Sequence, residues 1–475
     1  MPMMKFYFIF CGFLAFNAIA YELPELGDSA AMVMSPKEET DAGRQVMQEI
    51  RADPSYFDDP DSVDFINRVG DRLLNFSHDI ELQTFEFFIL EDPTLNAFAM
   101  PGGFIGVHTG LILAASNESE LASVLAHEIS HVTQHHIARA LEDQKNNLPK
   151  MIAAMAASVL AARSSPDGAI GGVVGAEAAS VQAQLNFSRE NEQEADRLGI
   201  ERMIQSPYDP QAMGTFFTKL QQYGRFYEGS SPAFLHTHPL TAERLSEIQD
   251  RLNQIPYRQV QDGPDFLLIQ ARIRALVGTA HEALQSFEGH AADPTRIEDV
   301  PNAYGRAVAL WRNKKYDQAL VLVDLLLKDQ PAEVFFEELK ADIVHGQGYL
   351  EKAIAIYLDA LKEHPDQRSL NYGYIQTLID LHQNEVALRY LKKRLSFSVA
   401  DYRLYDLQGQ AYANAGDQMR SHEALANAYW YFDDPKSTLQ QLQIAIRSVG
   451  GDFYEKSAIE VRIRQLKKEL SDQKK

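Results

Sequence analysis

Apolar spacing divides the chain before any chemistry is considered. "FINRVGDRLL" (65–74) carries Phe65, Ile66, Val69 and Leu73 at three- and four-residue intervals, which predicts an amphipathic helix. Residues 21–95 as a whole read as an extended start followed by this helical lead-in. In "QTFEFFILEDPTLNAFAMPGGFIGVHTGLI" (83–112) aromatic and branched residues alternate around Pro101, Gly102 and Gly103, which predicts a hairpin or short sheet. Helical spacing returns in "LASVLAHEISHVTQHHIARALED" (121–143), and Asn117 with Glu120 three residues on forms a start resembling a capping box.

Between 151 and 185 the chain turns to alanine, glycine and valine, interrupted by "RSSPDG" (163–168). Each half is too short to span a bilayer, and joining them would put Arg163 at its centre. A pair of small-residue helices buried against the preceding domain is the first reading, with peripheral membrane contact through 151–185 as the alternative. After "NQIPYRQVQDGPD" (253–265) the pattern becomes one of helix pairs. Ala307 and Ala341 are 34 residues apart, as are Ala319, Ala353 and Ala387, and Pro331 and Pro365; Gly348 and Gly416 are separated by 68. Small residues where helices cross, with proline closing the second helix, resemble the tetratricopeptide repeat. Ala271, Gly278 and Ala283 suggest a further, offset repeat before Ala307. A solenoid of this kind has a concave groove, so this half is expected to bind something.

Composition narrows the setting. At 475 residues the chain is too long for one ordinary core. The first twenty residues hold one charge, Lys5, then an apolar run, then Ala18-Ile19-Ala20, the pattern of a cleaved signal peptide with Tyr21 as the mature start. Cys11 is the only cysteine and lies inside this leader, so the mature chain needs no disulfide. Net charge is −21, and losing Lys5 with the leader takes it to −22, which argues against a nucleic-acid partner.

The chemistry concentrates in one helix. His127, Glu128 and His131 form HExxH: one helical turn apart, both imidazoles reach a single ion, while Glu128 points at a water bound to it. Zinc needs a third protein ligand and an open fourth position. The metzincin pattern is excluded, because Gln134 and Ile137 stand where its glycine and third histidine belong. His135 and His136 are read as surface residues or as groups standing behind the ligands. A later helix, "SRENEQEADRLGIERM" (188–203), offers Glu192 and Asp196 on one face, the first able to bind the ion, the second to take a ring N–H. Solvation of an acidic helix start is the plainer account of that pair taken alone.

HExxH, then ExxAD, then "THP" with an arginine six residues after its histidine resembles the zinc metallopeptidases that include the membrane-bound heat-shock and prenyl-protein proteases. The leader, the lack of spanning stretches and the repeats narrow the resemblance to the periplasmic beta-barrel assembly-enhancing proteases, over nearly the whole mature chain. The resemblance implies one zinc ion per chain held by His127, His131 and Glu192, with Glu128 as catalytic base and Asp196 as supporting acid. It implies His238 and Arg244 near the metal in a regulatory or transition-state role, although His236 leaves open which histidine faces the ion. The expected architecture is mainly α: a signal peptide (1–20), a gluzincin-like α+β metalloprotease domain with a small sheet (21–260), and an α-solenoid of repeats (264–475). The implied function is a periplasmic endopeptidase for misfolded or stalled outer-membrane beta-barrel precursors, unfolded outer-membrane proteins being its substrates. Its repeat domain would bind clients or the outer-membrane assembly machinery and support chaperone-like activity. A repeat-based chaperone or docking factor with a latent metal centre is the alternative. A purely structural zinc site, however, would close with a fourth ligand and have no use for Glu128.

Overall fold

Ser35 and Glu38 cap each other's backbone amides, so the first helix, α1, runs Pro36–Ala52, starting earlier than the extended reading of this region expected. In this computed structural model the structure describes residues 34–75, 84–140, 188–226, 232–258, 260, 263, 265–288, 299–397 and 401–472. The leader at 1–20 and all of 151–185 lie outside the described residues, as do the expectations placed on them. The lead-in helix, α2, spans Pro60–Leu74 and buries Phe65, Ile66, Val69 and Leu73. Three strands follow: β1 (Glu86–Leu90), β2 (Ala97–Met100) and β3 (Phe104–His108). β2 and β3 pair antiparallel across Pro101–Gly103, as the alternation predicts, while β1 pairs parallel with β3, giving the order β1-β3-β2. One sheet face sends Phe87, Ile89, Ile105 and Val107 into the main core. The other lays Phe88, Leu90, Met100 and Phe104 on Val46, Met47 and Ile50 of α1.

The central helices are α3 (Thr109–Ala114), α4 (Glu118–Thr133) and α5 (His136–Ala140), then α6 (Arg189–Gln205), α7 (Gln211–Phe226), α8 (Ala233–Thr237) and α9 (Ala242–Leu252). Asn117 caps α4 by accepting the Glu120 amide at 2.8 Å, while the Glu120 carboxylate turns to the Ser116 amide and to Lys219. Every residue of α4 from Glu118 to Val132 is buried.

Helix pairs follow from residue 265: α10 (Asp265–Leu276) with α11 (Ala280–Glu288), α12 (Val300–Arg312) with α13 (Tyr316–Asp329), and α14 (Val334–Gly346) with α15 (Leu350–Glu363). Then come α16 (Arg368–Asp380) with α17 (Asn384–Leu395), α18 (Tyr402–Asn414) with α19 (Gln418–Tyr431), and α20 (Pro435–Arg447) with α21 (Phe453–Asp472). Ala307, Ala319, Ala341, Ala353 and Ala387 are each fully buried where helices meet. The two halves do not have separate interiors: one core joins Phe65, Ile66 and Val69 of α2 to Phe266, Ile269 and Ile273 of α10 and on to Phe336 and Leu339 of α14. Charge reinforces the seam. Asp58 meets Arg403 at 2.8 Å, Asp59 and Asp61 meet Arg272 at 2.8 and 3.0 Å, and Asp64 meets Arg368 at 2.6 Å.

The repeat also has a backbone signature. Lys314, Gly348, His382 and Gly416 succeed one another at 34-residue intervals, and all four are left-handed, with φ of 57°, 83°, 59° and 84°. Each closes the turn between the two helices of a pair. Glycine accepts that conformation freely, whereas a residue with a Cβ is strained there by about 1–2 kcal/mol. The His382 side chain is exposed, while its amide donates to the Ile379 carbonyl at 2.9 Å. His382→Gly is expected to stabilise the chain by about 0.5–1 kcal/mol, the strain relieved less the extra freedom of glycine in the unfolded state. A urea titration reads this, and an unchanged or lowered midpoint would refute it.

Candidate metal centre

Four buried side chains from three elements converge. α4 supplies His127 and His131, whose Nε2 atoms lie 3.0 Å apart. α6 supplies Glu192, with Oε2 3.6 Å from His127 Nε2 and Oε1 3.4 Å from His131 Nε2. His238, the residue capping the C-terminus of α8, brings its Nδ1 to 2.9 Å from Glu192 Oε1 and 3.4 Å from His127 Nε2. One ligand atom from each of the four lies within 4.8 Å of the other three. His236, two residues earlier, is exposed. The open choice between the two histidines is therefore made by burial.

Local sequence explains how these groups arrive. In α6 the residues Glu192, Ala195, Asp196, Gly199 and Met203 share the buried face, with Ser188 capping the helix. Gly199 lets this face approach α4 closely: a Cβ there would lie 3.3 Å from the His127 amide nitrogen and 2.9 Å from the Met213 methyl. Arg244, in the first turn of α9, grips Asp196 through Nε and Nη2, both at 2.8 Å, and reaches Glu192 Oε2 through Nη1 at 2.7 Å. Asp196 Oδ1 stands 3.0 Å from His127 Nδ1, on the side of the ring away from the cluster. Phe217 meets the His127 ring edge-on, and Phe234 stacks on His238 with centroids 4.6 Å apart.

Electrostatically this is a centre built for positive charge. Burial opposes a charged imidazole at His127, yet hydrogen bonds to Asp196 and Glu192 outweigh it and raise its pKa to about 9. Burial likewise opposes an ionised Glu192, but His238 and His127 hold its carboxyl well below the ordinary range. His131 goes the other way: burial and the neighbouring His127 keep it neutral, as a lone-pair donor must be. Glu128 is fully buried beside the cluster, with Oε1 3.5 Å from His238 Nε2. Burial pushes its carboxyl pKa up, against the pull of His238 and His127. Three imidazoles and a carboxylate, secluded from water and each approached by a second polar group, fit zinc.

Relatives place this geometry. Residues 64–252 match the model of peptidase family M48. The beta-barrel assembly-enhancing protease of Yersinia pestis is 35% identical over 407 residues, covering 86% of this chain and 83% of that one. Its namesake from Escherichia coli K12 is 32% identical over 458 residues, covering 95% and 93%. The chain belongs to the beta-barrel assembly-enhancing protease family. It is thus a zinc metallopeptidase of family M48 joined to helical repeats. The mitochondrial metalloendopeptidase OMA1 of Schizosaccharomyces pombe is 32% identical over 214 residues, 45% of this chain and 59% of that one, so endopeptidase relatives extend beyond this family. Among the described residues no helix is long and apolar enough to cross a membrane.

The structure separates the two histidines that were read together as surface residues or groups behind the ligands. His136 is fully buried, with Nδ1 2.8 Å from His131 Nδ1, and Glu194 Oε2 lies 3.2 Å from its Nε2. Nothing in the helical spacing distinguishes His136 from the partly exposed His135, whose Nδ1 instead meets Glu39 of α1 at 3.0 Å. Removing Arg244 would leave two buried carboxylates without their guanidinium. Arg244→Ala is expected to destabilise the fold by about 3–5 kcal/mol. Arg244→Lys, unable to grip Asp196 through two nitrogens, should recover only part of this. Chemical denaturation of the three proteins checks both statements.

Proposed function

We propose that the chain is a periplasmic endopeptidase that degrades misfolded or stalled outer-membrane beta-barrel precursors. His127, His131 and Glu192 would hold one zinc ion per chain. What supports this is the convergence of these three groups with Glu128 buried alongside. When bound, zinc would supply Lewis acidity, making a water nucleophilic near neutral pH and polarising the scissile carbonyl. Glu128 is the general base: its carboxylate takes the proton of the attacking water and passes it to the leaving amine. Burial, by raising its pKa, makes it better able to hold that proton between the two transfers. Asp196 holds His127 from behind as the supporting acid, and Arg244, engaged by both acids, aligns them. β2 is a sheet edge packed along α4, so an extended substrate can add to it by backbone pairing, which reads extension more than sequence. Unfolded outer-membrane proteins present such strands. The leader and the names of the relatives support the periplasmic setting and the assembly role.

The domain division follows the same reading: protease at 21–260, repeats at 264–475 binding clients or assembly machinery and supporting chaperone-like activity. Purified mature chain should cleave unfolded casein, and a chelator should stop it. Glu128→Gln should retain zinc at the wild-type level while cleavage falls by at least about a hundredfold, since the ligands stay and the base is lost. Near-wild-type cleavage by this variant would remove Glu128 from the mechanism.

His238 carries the regulatory reading. Its Nδ1 lies at hydrogen-bonding distance from Glu192 and close to His127, which supports a resting state in which it takes the fourth position and an active state in which it withdraws. His238→Ala separates the roles by direction: a lost latch raises cleavage of casein or of the chain itself, whereas a lost transition-state donor lowers it. Unchanged rates would return His238 to the cleft wall.

A further inference from the structure

The two histidines of α4 meet the same centre through Nε2, yet different groups stand behind their other nitrogens. Behind His127 is Asp196, a carboxylate gripped by Arg244. Behind His131 is another imidazole, His136, at 2.8 Å between the Nδ1 atoms. Two ring nitrogens at that distance share one proton, since two bare lone pairs repel and two N–H groups clash. A ring that offers a bare Nε2 to a cation carries its proton on Nδ1. His131 is then the donor and His136 Nδ1 the acceptor, so His136 carries its own proton on Nε2, facing Glu194 Oε2 at 3.2 Å. We infer that His136 is a positioning residue that holds His131 in the Nδ1–H tautomer, with Glu194 holding His136 in turn. This rests on the reading of His131 as a metal ligand.

The backbone is bent to achieve this. In a continuous helix, five residues on from His131, His136 would lie about 140° round the axis and face elsewhere. Instead α4 stops at Thr133, and His135 adopts φ 50°, a left-handed conformation strained by about 1–2 kcal/mol in a residue with a Cβ. The His135 side chain is tied to Glu39 on α1 at 3.0 Å, so a helix distant in sequence anchors the corner. α5 then begins at His136, whose ring folds back onto His131 with centroids 4.9 Å apart. A neutral imidazole polarises the ring in front of it less than a carboxylate does. His131 is therefore the weaker donor of the pair and His127 the stronger.

The test uses the full mature chain, zinc-loaded and labelled with 15N-histidine, and long-range imidazole correlation spectra. Expected are a metal-shifted Nε2 with protonated Nδ1 at His131, and a protonated Nε2 with bare Nδ1 at His136. The Nδ1–H tautomer or an imidazolium at His136 overturns the relay. If His131 shows no metal-bound nitrogen, the ligand assignment fails and the relay with it. The spectrum needs no variant, so it decides even where a substitution prevents folding. In parallel, zinc release to a chromophoric chelator should be about 10–100 times faster in His136→Phe. His136→Asn, whose amide oxygen can accept the same N–H, should restore most of the loss. Release at the wild-type rate from His136→Phe, or no rescue by His136→Asn, would count against the proposal.

Discussion

Helix α4 has no solvent face, and the rest of the structure answers to that. Its buried residues include Glu118, Glu120, His127, Glu128 and His131, each of which would be costly inside a protein without a partner. Different parts of the chain supply the partners. Arg72 of α2 and the Tyr208 hydroxyl reach Glu118 at 3.1 Å, and Lys219 of α7 reaches Glu120 at 2.6 Å. Asp196, Glu192, His136 and His238 surround the two histidines. Glu128 is approached by the His238 imidazole at 3.5 Å and by the Ala99 backbone, which offset part of its burial. Burial still outweighs them, so the carboxyl assigned the proton transfers has a raised pKa.

The same helix explains why the repeats cannot be a detachable appendage. α2 covers one side of α4, and α2 in turn packs on α10 and α16. Gln270 of α10 donates to the carbonyls of Ile112 and Ala115 at 2.7 Å, pinning the first repeat to the turn that leads into α4. The acidic stretch at 58–64 meets Arg272 of the first helix pair and Arg368 and Arg403 of the fourth and fifth, so the solenoid is clamped at points far apart along it. The repeats therefore form a body that is continuous with the site's own packing.

Chain patterning made much of this visible. HExxH needs only a helix to bring its groups together, and α4 is one from Glu118 to Thr133. The alternation in 83–112 became the β2–β3 hairpin because alternate residues must face opposite sides of a strand. Gly348 and Gly416 marked the 34-residue period in the sequence, and the structure places them in left-handed turns together with Lys314 and His382. Those two were invisible because lysine and histidine carry no sign that the packing of two flanking helices will force them there.

Local rules act over a few residues, so the sequence alone determined the elements, the 34-residue period and the types of group able to bind zinc. Tertiary structure decided what depends on elements far apart in the chain. It chose His238 over His236 by burying one and exposing the other. It set Glu192 against α4 through the close approach at Gly199, and it merged protease and repeats into one core. It also turned His136 onto His131 through a corner anchored on α1. Each of these is settled by which surfaces exclude water together, a property of the folded whole that no window of sequence contains.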